Sequence, residues 1–358
     1  MHQQAGSLEK RSNEIGRGHA RGANHHGRRM KRTRRRRDPV EPNSPKRFKS
    51  LLLIVAVCVA GPTSVRAQAS APGDRHCGHD VLDLQVALDR AGFSPGEIDA
   101  REGALTRRAV AAFQATQSLP ATGRADCATS ERLSQADTLV MYTITPSDVA
   151  GPFIDRIPAE LPEQAKLSSL AYTSPLEALA ERFHASPTLM KKLNGGRRFV
   201  AGETIMVPNV IADDKGAKPS ERPDVTVTVS KESGSLTVTA ADGAVVMFAP
   251  VTVGSERDPL PIGTWKVTGI QQDPTFFYNP DLFWDADPSH AKAKIPPGPN
   301  NPVGLVWIDI NKEHFGLHGT PEPGRIGYTE SHGCIRLTNW DAVKLSRLVK
   351  TGTRVVFE

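Results

Sequence analysis

His318-Gly319-Thr320 and, after ten intervening residues, Ser331-His332-Gly333-Cys334-Ile335-Arg336-Leu337 place a thiol in a Gly-containing turn. One histidine stands two residues before the thiol and another sixteen before it. The glycine removes side-chain bulk beside the sulfur, and successive backbone N–H groups in such a turn can face an oxyanion. A cysteine, with an ordinary pKa of about 8.5, needs an imidazole to become a nucleophile near neutral pH. Spacing does not choose between the two histidines. His332 and Cys334 stand at i and i+2, which share a face only if the backbone is extended. His318 ends the apolar, strand-like run Phe315-Gly316-Leu317 and is placed to reach the thiol from a neighbouring strand. A lone Cys is usually a small buried hydrophobe; a Cys with two His, a Gly turn and an Arg close by points to catalysis.

These residues resemble the active-site motif of the L,D-transpeptidases of bacterial cell walls. The resemblance extends over residues 224–358, including Pro261-Ile262-Gly263-Thr264-Trp265 and Pro299-Asn300-Asn301-Pro302-Val303-Gly304, which are similar to that family's substrate-cleft segments. It implies Cys334 as nucleophile, His318 as base, the backbone at Gly319 orienting the imidazole, and His332, Gly333 and Cys334 as the oxyanion turn. It also implies that Arg336 faces the substrate carboxylate, with Gly319, Thr320 and Ser331 lining the substrate side. No metal or organic cofactor is implied. Gly319 stands where some members carry Ser. The swap is harmless if orientation uses that residue's carbonyl and costly if it uses a hydroxyl.

The net charge of +6 is an average of two unlike parts. Residues 1–50 hold 15 Lys/Arg against 4 Asp/Glu, whereas residues 70–358 hold 29 against 35. The basic character therefore belongs to a leader, and nucleic-acid binding by the folded part is not expected. Lys46-Arg47-Phe48-Lys49, the apolar run from Leu51 to Ala60 and Ala67-Gln68-Ala69 read as a secretory signal. The run is too short for a membrane-spanning helix, which needs about 20 residues. Fifty residues is long for the basic part of a signal, so Met30 is an alternative start, and no stable membrane anchor is expected after cleavage. Export leaves Cys77, Cys127 and Cys334 in a periplasmic, wall-associated chain. Cys77 and Cys127 bracket one small module and are expected to pair in that oxidising setting, leaving Cys334 free.

After the leader (residues 1–69), residues 76–136 read as a small helical module. Val81, Leu84, Leu88 and Ala91 form one helical face, Thr106 is placed to cap a second helix with Ala109, Val110 and Phe113, and a third starts near Ala128. With Leu84-Gln85, Gly92-Phe93, Ile98-Asp99 and Ala112-Phe113-Gln114, it resembles the three-helix peptidoglycan-binding domain. Residues 139–209 read strand–helix–helix–strand, with Ser186-Pro187 opening the second helix. They resemble a LysM domain carrying an insertion at residues 148–172, and read equally as a glycan-binding or a purely structural module. Residues 210–223 read as a linker. The catalytic domain, residues 224–358, opens on alternating Val225, Val227 and Val229, and its short strands argue for a mainly β, antiparallel sandwich or open barrel. Residues 273–299 read as either a lid over the cleft or an aromatic patch folded onto the sheet. Asn339 is placed to cap a closing helix, and Val355-Val356-Phe357 to form an edge strand.

The resulting expectation is an exported enzyme acting on peptidoglycan, on its tetrapeptide stems and glycan strands, through a Cys334 thioester. The acyl group passes to an amine of another stem or of a protein, with an outer-membrane protein one candidate acceptor. A hydrolase sharing the same thioester and an inactive wall anchor are the alternatives. A zinc peptidase built on His314, His318 and His332 leaves Cys334 and Arg336 without a role.

Overall fold

The structure, a computed structural model, describes residues 80–134, 136–210 and 224–358. The leader, its signal, Cys77 and most of the expected linker lie outside the described residues. Among the described residues no helix is long and apolar enough to cross a membrane.

The first module holds α1 (Val81–Arg90), α2 (Ala104–Thr116) and α3 (Cys127–Arg132). Asp80 and Asp126 cap α1 and α3 by accepting the N–H of Asp83 and Thr129. Two buried glutamines, rather than the apolar face alone, fix the loops. Gln85 takes the N–H of Ala100 at 2.9 Å, and Gln114 takes that of Gly123 at 2.9 Å. Thr106 does not cap α2. Its hydroxyl is buried and accepts from Gln85 Nε2, so α2 begins earlier, after Gly103.

The second module pairs β1 (Leu139–Thr143) antiparallel with β2 (Thr204–Pro208), and between them run α4 (Leu161–Gln164), α5 (Pro175–Arg182) and α6 (Pro187–Leu193). Ser174 and Ser186 cap α5 and α6, each followed by Pro at the first helical position. Leu179, Phe183, Met190, Ile205 and Val207 form its core, together with Val86 and Ile98 of the first module.

The third part carries β3 (Val225–Ser230), β4 (Ser235–Ala240), β5 (Val245–Pro250), β6 (Thr252–Val253), β7 (Gly263–Gln272), β8 (Phe276–Tyr278) and β9 (Ala293–Ile295). It continues with β10 (Val306–Ile310), β11 (Gly316–His318), β12 (Ile335–Arg336), α7 (Asn339–Leu348) and β13 (Arg354–Phe357). Nine strands form one mainly β sheet in the order β5-β4-β3-β13-β7-β10-β11-β12-β6. In β3 every second residue is buried, as its Val/Thr alternation requires. Most pairings are antiparallel, but β13 runs parallel to β3 and β12 parallel to β11. The C-terminal strand is therefore not an edge. β13 lies between β3 and β7, with Val355 and Phe357 buried. α7 is capped by Thr338, whose hydroxyl accepts from Asp341 N, while the side chain of Asn339 is engaged elsewhere.

The three parts are packed together. Phe248 of β5 completes the first module's core, exchanging backbone hydrogen bonds with Gly92 and Ser94 at 2.9 Å each. Asp89 of α1 binds His184 Nδ1 at 3.1 Å, and that imidazole stacks on Trp340 of α7 at 5.1 Å. The β8–β9 hairpin buries Tyr278 and Ile295 against Leu170 of the insertion. Residues 273–299 are thus a folded hairpin with an aromatic core, whose further part reaches the thiol turn.

Candidate active site

β11 and β12 bring the two halves of the motif together. Leu317 pairs with Ile335 and His318 with Arg336 in parallel register, and Leu337 N–H donates to His318 O at 2.8 Å. Partners across a pair share a face, and so do residues two apart on an extended strand. His318 and Arg336 therefore lie on one side of the sheet, with Cys334 leading directly into β12. On the far side of β12, Thr252 and Val253 of β6 close the ladder.

The thiol turn is held from within. Ser331 is buried; its hydroxyl donates to Cys334 O at 2.7 Å and its N–H to Gly254 O at 3.1 Å. Gly333 has φ of +98°, and a Cβ there would fall 2.6 Å from the Phe315 ring. Only glycine fits this position.

His318 is buried, and its Nδ1 lies 2.7 Å from Gly319 O. A carbonyl only accepts, so Nδ1 carries the proton and Nε2 keeps its lone pair. The ring stacks on Trp307 of β10, its cross-strand partner, at 5.3 Å. Burial, and then the charge of Arg336, push the imidazole pKa down to about 3, against the pull of the Gly319 carbonyl. Cys334 is half-buried and is the free cysteine among the described residues. Its thiol donates to His314 O at 3.6 Å. Burial raises the thiol pKa; the Gly316 N–H and Arg336 act against that rise. At neutral pH both groups are uncharged, a weak acid at the start of β12 and a free base on the adjoining β11. Such a pair suits proton transfer in step with attack on a carbonyl.

The other expected residues fall into two sets. Arg336 is half-buried on the same face, with Nη1 donating to Glu330 O at 3.2 Å, and burial lowers its pKa. The His332 ring points to the hairpin segment: Nε2 meets Asp285 Oδ1 at 2.7 Å and the ring packs on Phe283 at 4.9 Å. Thr320 is buried, and its hydroxyl accepts from Glu322 N. Ser331 and Thr320 thus turn into the fold. A Cβ at Gly319 would lie 2.2 Å from Asn339 Oδ1, so Asn339 fills the space where a serine would project. The imidazole is oriented by the carbonyl, and the replacement of Ser by Gly leaves that contact intact. Asn300 and Asn301 are buried too, Asn300 donating to Ala171 O and Glu177 of the second module. Trp307 and Asp285 were not marked by the sequence pattern, and Asn339 was marked only as a helix cap, because each reaches the site across strands or modules.

A family model described as the L,D-transpeptidase catalytic domain matches residues 224–357, and one described as a putative peptidoglycan binding domain matches residues 77–133. The putative L,D-transpeptidase YqjB of Bacillus subtilis is 30% identical over 139 residues, 37% of this chain and 70% of that protein. The putative L,D-transpeptidase YkuD of Bacillus licheniformis is 28% identical over 184 residues, 50% of this chain and 91% of that protein. A solved L,D-transpeptidase from Mycobacterium smegmatis aligns over 38% of this chain and 58% of its own, at 22% identity and a TM-score of 0.31. An acyltransferase domain is thus joined to a peptidoglycan-binding one. The chain belongs to the L,D-transpeptidase family, enzymes of peptidoglycan metabolism.

Proposed function

We propose that this is an exported L,D-transpeptidase carrying its acyl group as a thioester on Cys334. The parallel pairing of β11 with β12 carries the reading, because it sets His318 and the thiol strand side by side with the imidazole already in its basic tautomer. His318 Nε2 takes the thiol proton as Sγ attacks the carbonyl between the third and fourth residues of a tetrapeptide stem. Backbone N–H groups of the His332-Gly333-Cys334 turn face the oxyanion, and Arg336 faces the substrate carboxylate. The C–N bond breaks and the leaving amine takes the proton back from the imidazolium. An acceptor amine then attacks the thioester, passes its proton to His318, and Cys334 leaves as the thiol.

Residues 76–136 and 139–209 hold the enzyme at the wall, the second as a LysM-like module, and residues 1–69 direct export to the periplasm. The acceptor is a neighbouring stem or a protein amine, an outer-membrane protein among them. The Cys77–Cys127 disulfide belongs to the same reading. It closes a loop of about 50 residues and stabilises the first module by roughly 2–4 kcal/mol. Mapping of non-reduced peptides from periplasmic protein checks it, and two free thiols would end it.

The deciding experiment incubates the purified chain with disaccharide-tetrapeptides and an amine, and reads the products by mass. Cross-linked dimers or amine-joined stems in excess over free tripeptide are expected. Tripeptide as the main product whatever amine is supplied would make the enzyme a hydrolase. Cys334→Ala should form no mass adduct with a carbapenem-type acylating agent.

A further inference from the structure

Glu181, on α5 of the second module, sits 137 residues before His318, yet a continuous chain of contacts joins them. Its carboxylate accepts the Tyr172 hydroxyl at 2.8 Å and Asn339 Nδ2 at 3.1–3.2 Å. Asn339 Nδ2 also donates to Pro299 O at 3.1 Å, and Oδ1 accepts from Leu305 N at 3.0 Å. These partners allow one amide orientation only: the nitrogen faces two acceptors and the oxygen faces a donor. Oδ1 is wedged between two glycines, since a Cβ at Gly304 or Gly319 would fall 2.0 or 2.2 Å from it. The carbonyl of Gly319 holds His318 Nδ1 at 2.7 Å. The Glu181 carboxylate is half-buried at the module boundary, and its neighbour Arg182 turns away to Asp148 and leaves it without an ion-pair partner among the described residues, which is unfavourable. Burial accordingly raises its pKa to about 7 while Tyr172 and Asn339 oppose that rise. Nothing in the acyl-transfer steps uses it directly.

We propose that Glu181 is a positioning residue for catalysis. By locking the Asn339 amide it fixes the backbone at Gly319, and through that carbonyl the His318 ring. The second module is then part of the active-site scaffold and not only a wall attachment. This rests on the reading of His318 as the base for Cys334.

The test measures acylation of Cys334 by a carbapenem in the full chain, separating the maximal rate from the half-saturating concentration, with Tm recorded for each variant. Glu181→Leu should lower the maximal rate about 10–100-fold, the scale of a misplaced catalytic group, and leave half-saturation near wild type. Glu181→Gln, which keeps one acceptor, should fall between. Glu181→Leu with Asn339→Ala should be no slower than Asn339→Ala alone, because the two act in series. Arg182→Ala, one residue along and turned to Asp148, should acylate as wild type. If Glu181→Leu unfolds the chain, Glu181→Gln decides: a maximal rate equal to wild type overturns the inference. So do independent, multiplying effects of Glu181 and Asn339. If His318→Ala acylates normally, the base reading itself fails and the inference falls with it. A slow His318→Ala beside a normal Glu181→Leu removes the positioning role alone.

Discussion

His332 Nε2 lies 2.7 Å from Asp285 Oδ1, so the histidine nearest the thiol in sequence is tied to the hairpin segment. Phe283 and Trp284 pack on the same ring, and Arg257 lies over Trp284 at 4.4 Å. The segment is pinned beside the thiol turn by the His332–Asp285 hydrogen bond and by rings. If acyl transfer runs through the thioester proposed above, such a cover limits the water that competes with the amine.

Removing residues 276–284 is a poor test of that cover, because it would delete Tyr278, which is buried in the hairpin's own core. Asp285→Ala and Trp284→Ala change only half-exposed or exposed side chains. Each should shift products from amine-joined stems toward tripeptide while acylation of Cys334 stays within a few-fold of wild type. His332→Ala should resemble them, whereas His318→Ala should slow acylation about 10²–10⁴-fold, the range for a lost general base. An Asp285→Ala enzyme with an unchanged product ratio would dismiss the cover.

A neutral thiol on the strand paired with a neutral imidazole has its own signature. Burial raises the Cys334 pKa, and Arg336 is one of the groups holding it back. Alkylation by iodoacetamide should therefore rise with pH to a midpoint above that of an ordinary cysteine. Arg336→Met should move the midpoint higher still, since a favourable cation is lost. A midpoint below neutrality would instead mean a resting thiolate–imidazolium pair.

Gly319→Ser asks whether the space at 319 is free. The serine Cβ would lie 2.2 Å from Asn339 Oδ1, so Asn339 or the Gly319 carbonyl must move. Acylation should fall by about 10²-fold, the cost of displacing a catalytic group by roughly 1 Å. Adding Asn339→Gly should recover part of it by emptying the space. A Gly319→Ser enzyme as fast as wild type would show that the packing yields.

What was legible in the sequence was local. The Val225-Val227-Val229 alternation specifies β3, Ser186-Pro187 opens α6, and the Cys334 turn with its two histidines marks the site, the resemblance rather than the spacing choosing His318. What was not legible depends on residues far apart. Asn339 is a good capping residue by type, but Thr338 takes that role, freeing Asn339 to reach Glu181 across the module boundary. Val355-Val356-Phe357 carries no sign of its neighbours, and only pairing with β3 on one side and β7 on the other makes it central. Likewise the hydrophobic face of α1 predicts a core, but not that Phe248 of the catalytic sheet would complete it.

The junction that joins the modules should respond to pH through Asp341. This carboxyl is buried, accepts Ser94 Oγ at 2.8 Å and Thr338 Oγ1 at 2.7 Å, and faces Asp89 and His184, on both of which the charge of Lys344 acts. Burial and the Asp89 charge raise its pKa to about 6, against the two hydroxyls and His184, from an unfolded value of 3.8. Between those values the folded chain holds a proton that the unfolded chain has released, so stability falls as pH rises through that window. A shift of this size corresponds to about 2–3 kcal/mol. Asp341→Asn keeps an oxygen for both hydroxyls and does not titrate. The stability of wild type relative to this variant, from urea denaturation, should therefore decline by about 2–3 kcal/mol from pH 4 to pH 7. Taking the difference cancels the opposite trend from His318, whose lowered pKa makes stability rise with pH between about 3 and 6.5 in both proteins. A difference that stays constant across the window would mean that Asp341 is already ionised at pH 4 without penalty, and that the junction tolerates its charge.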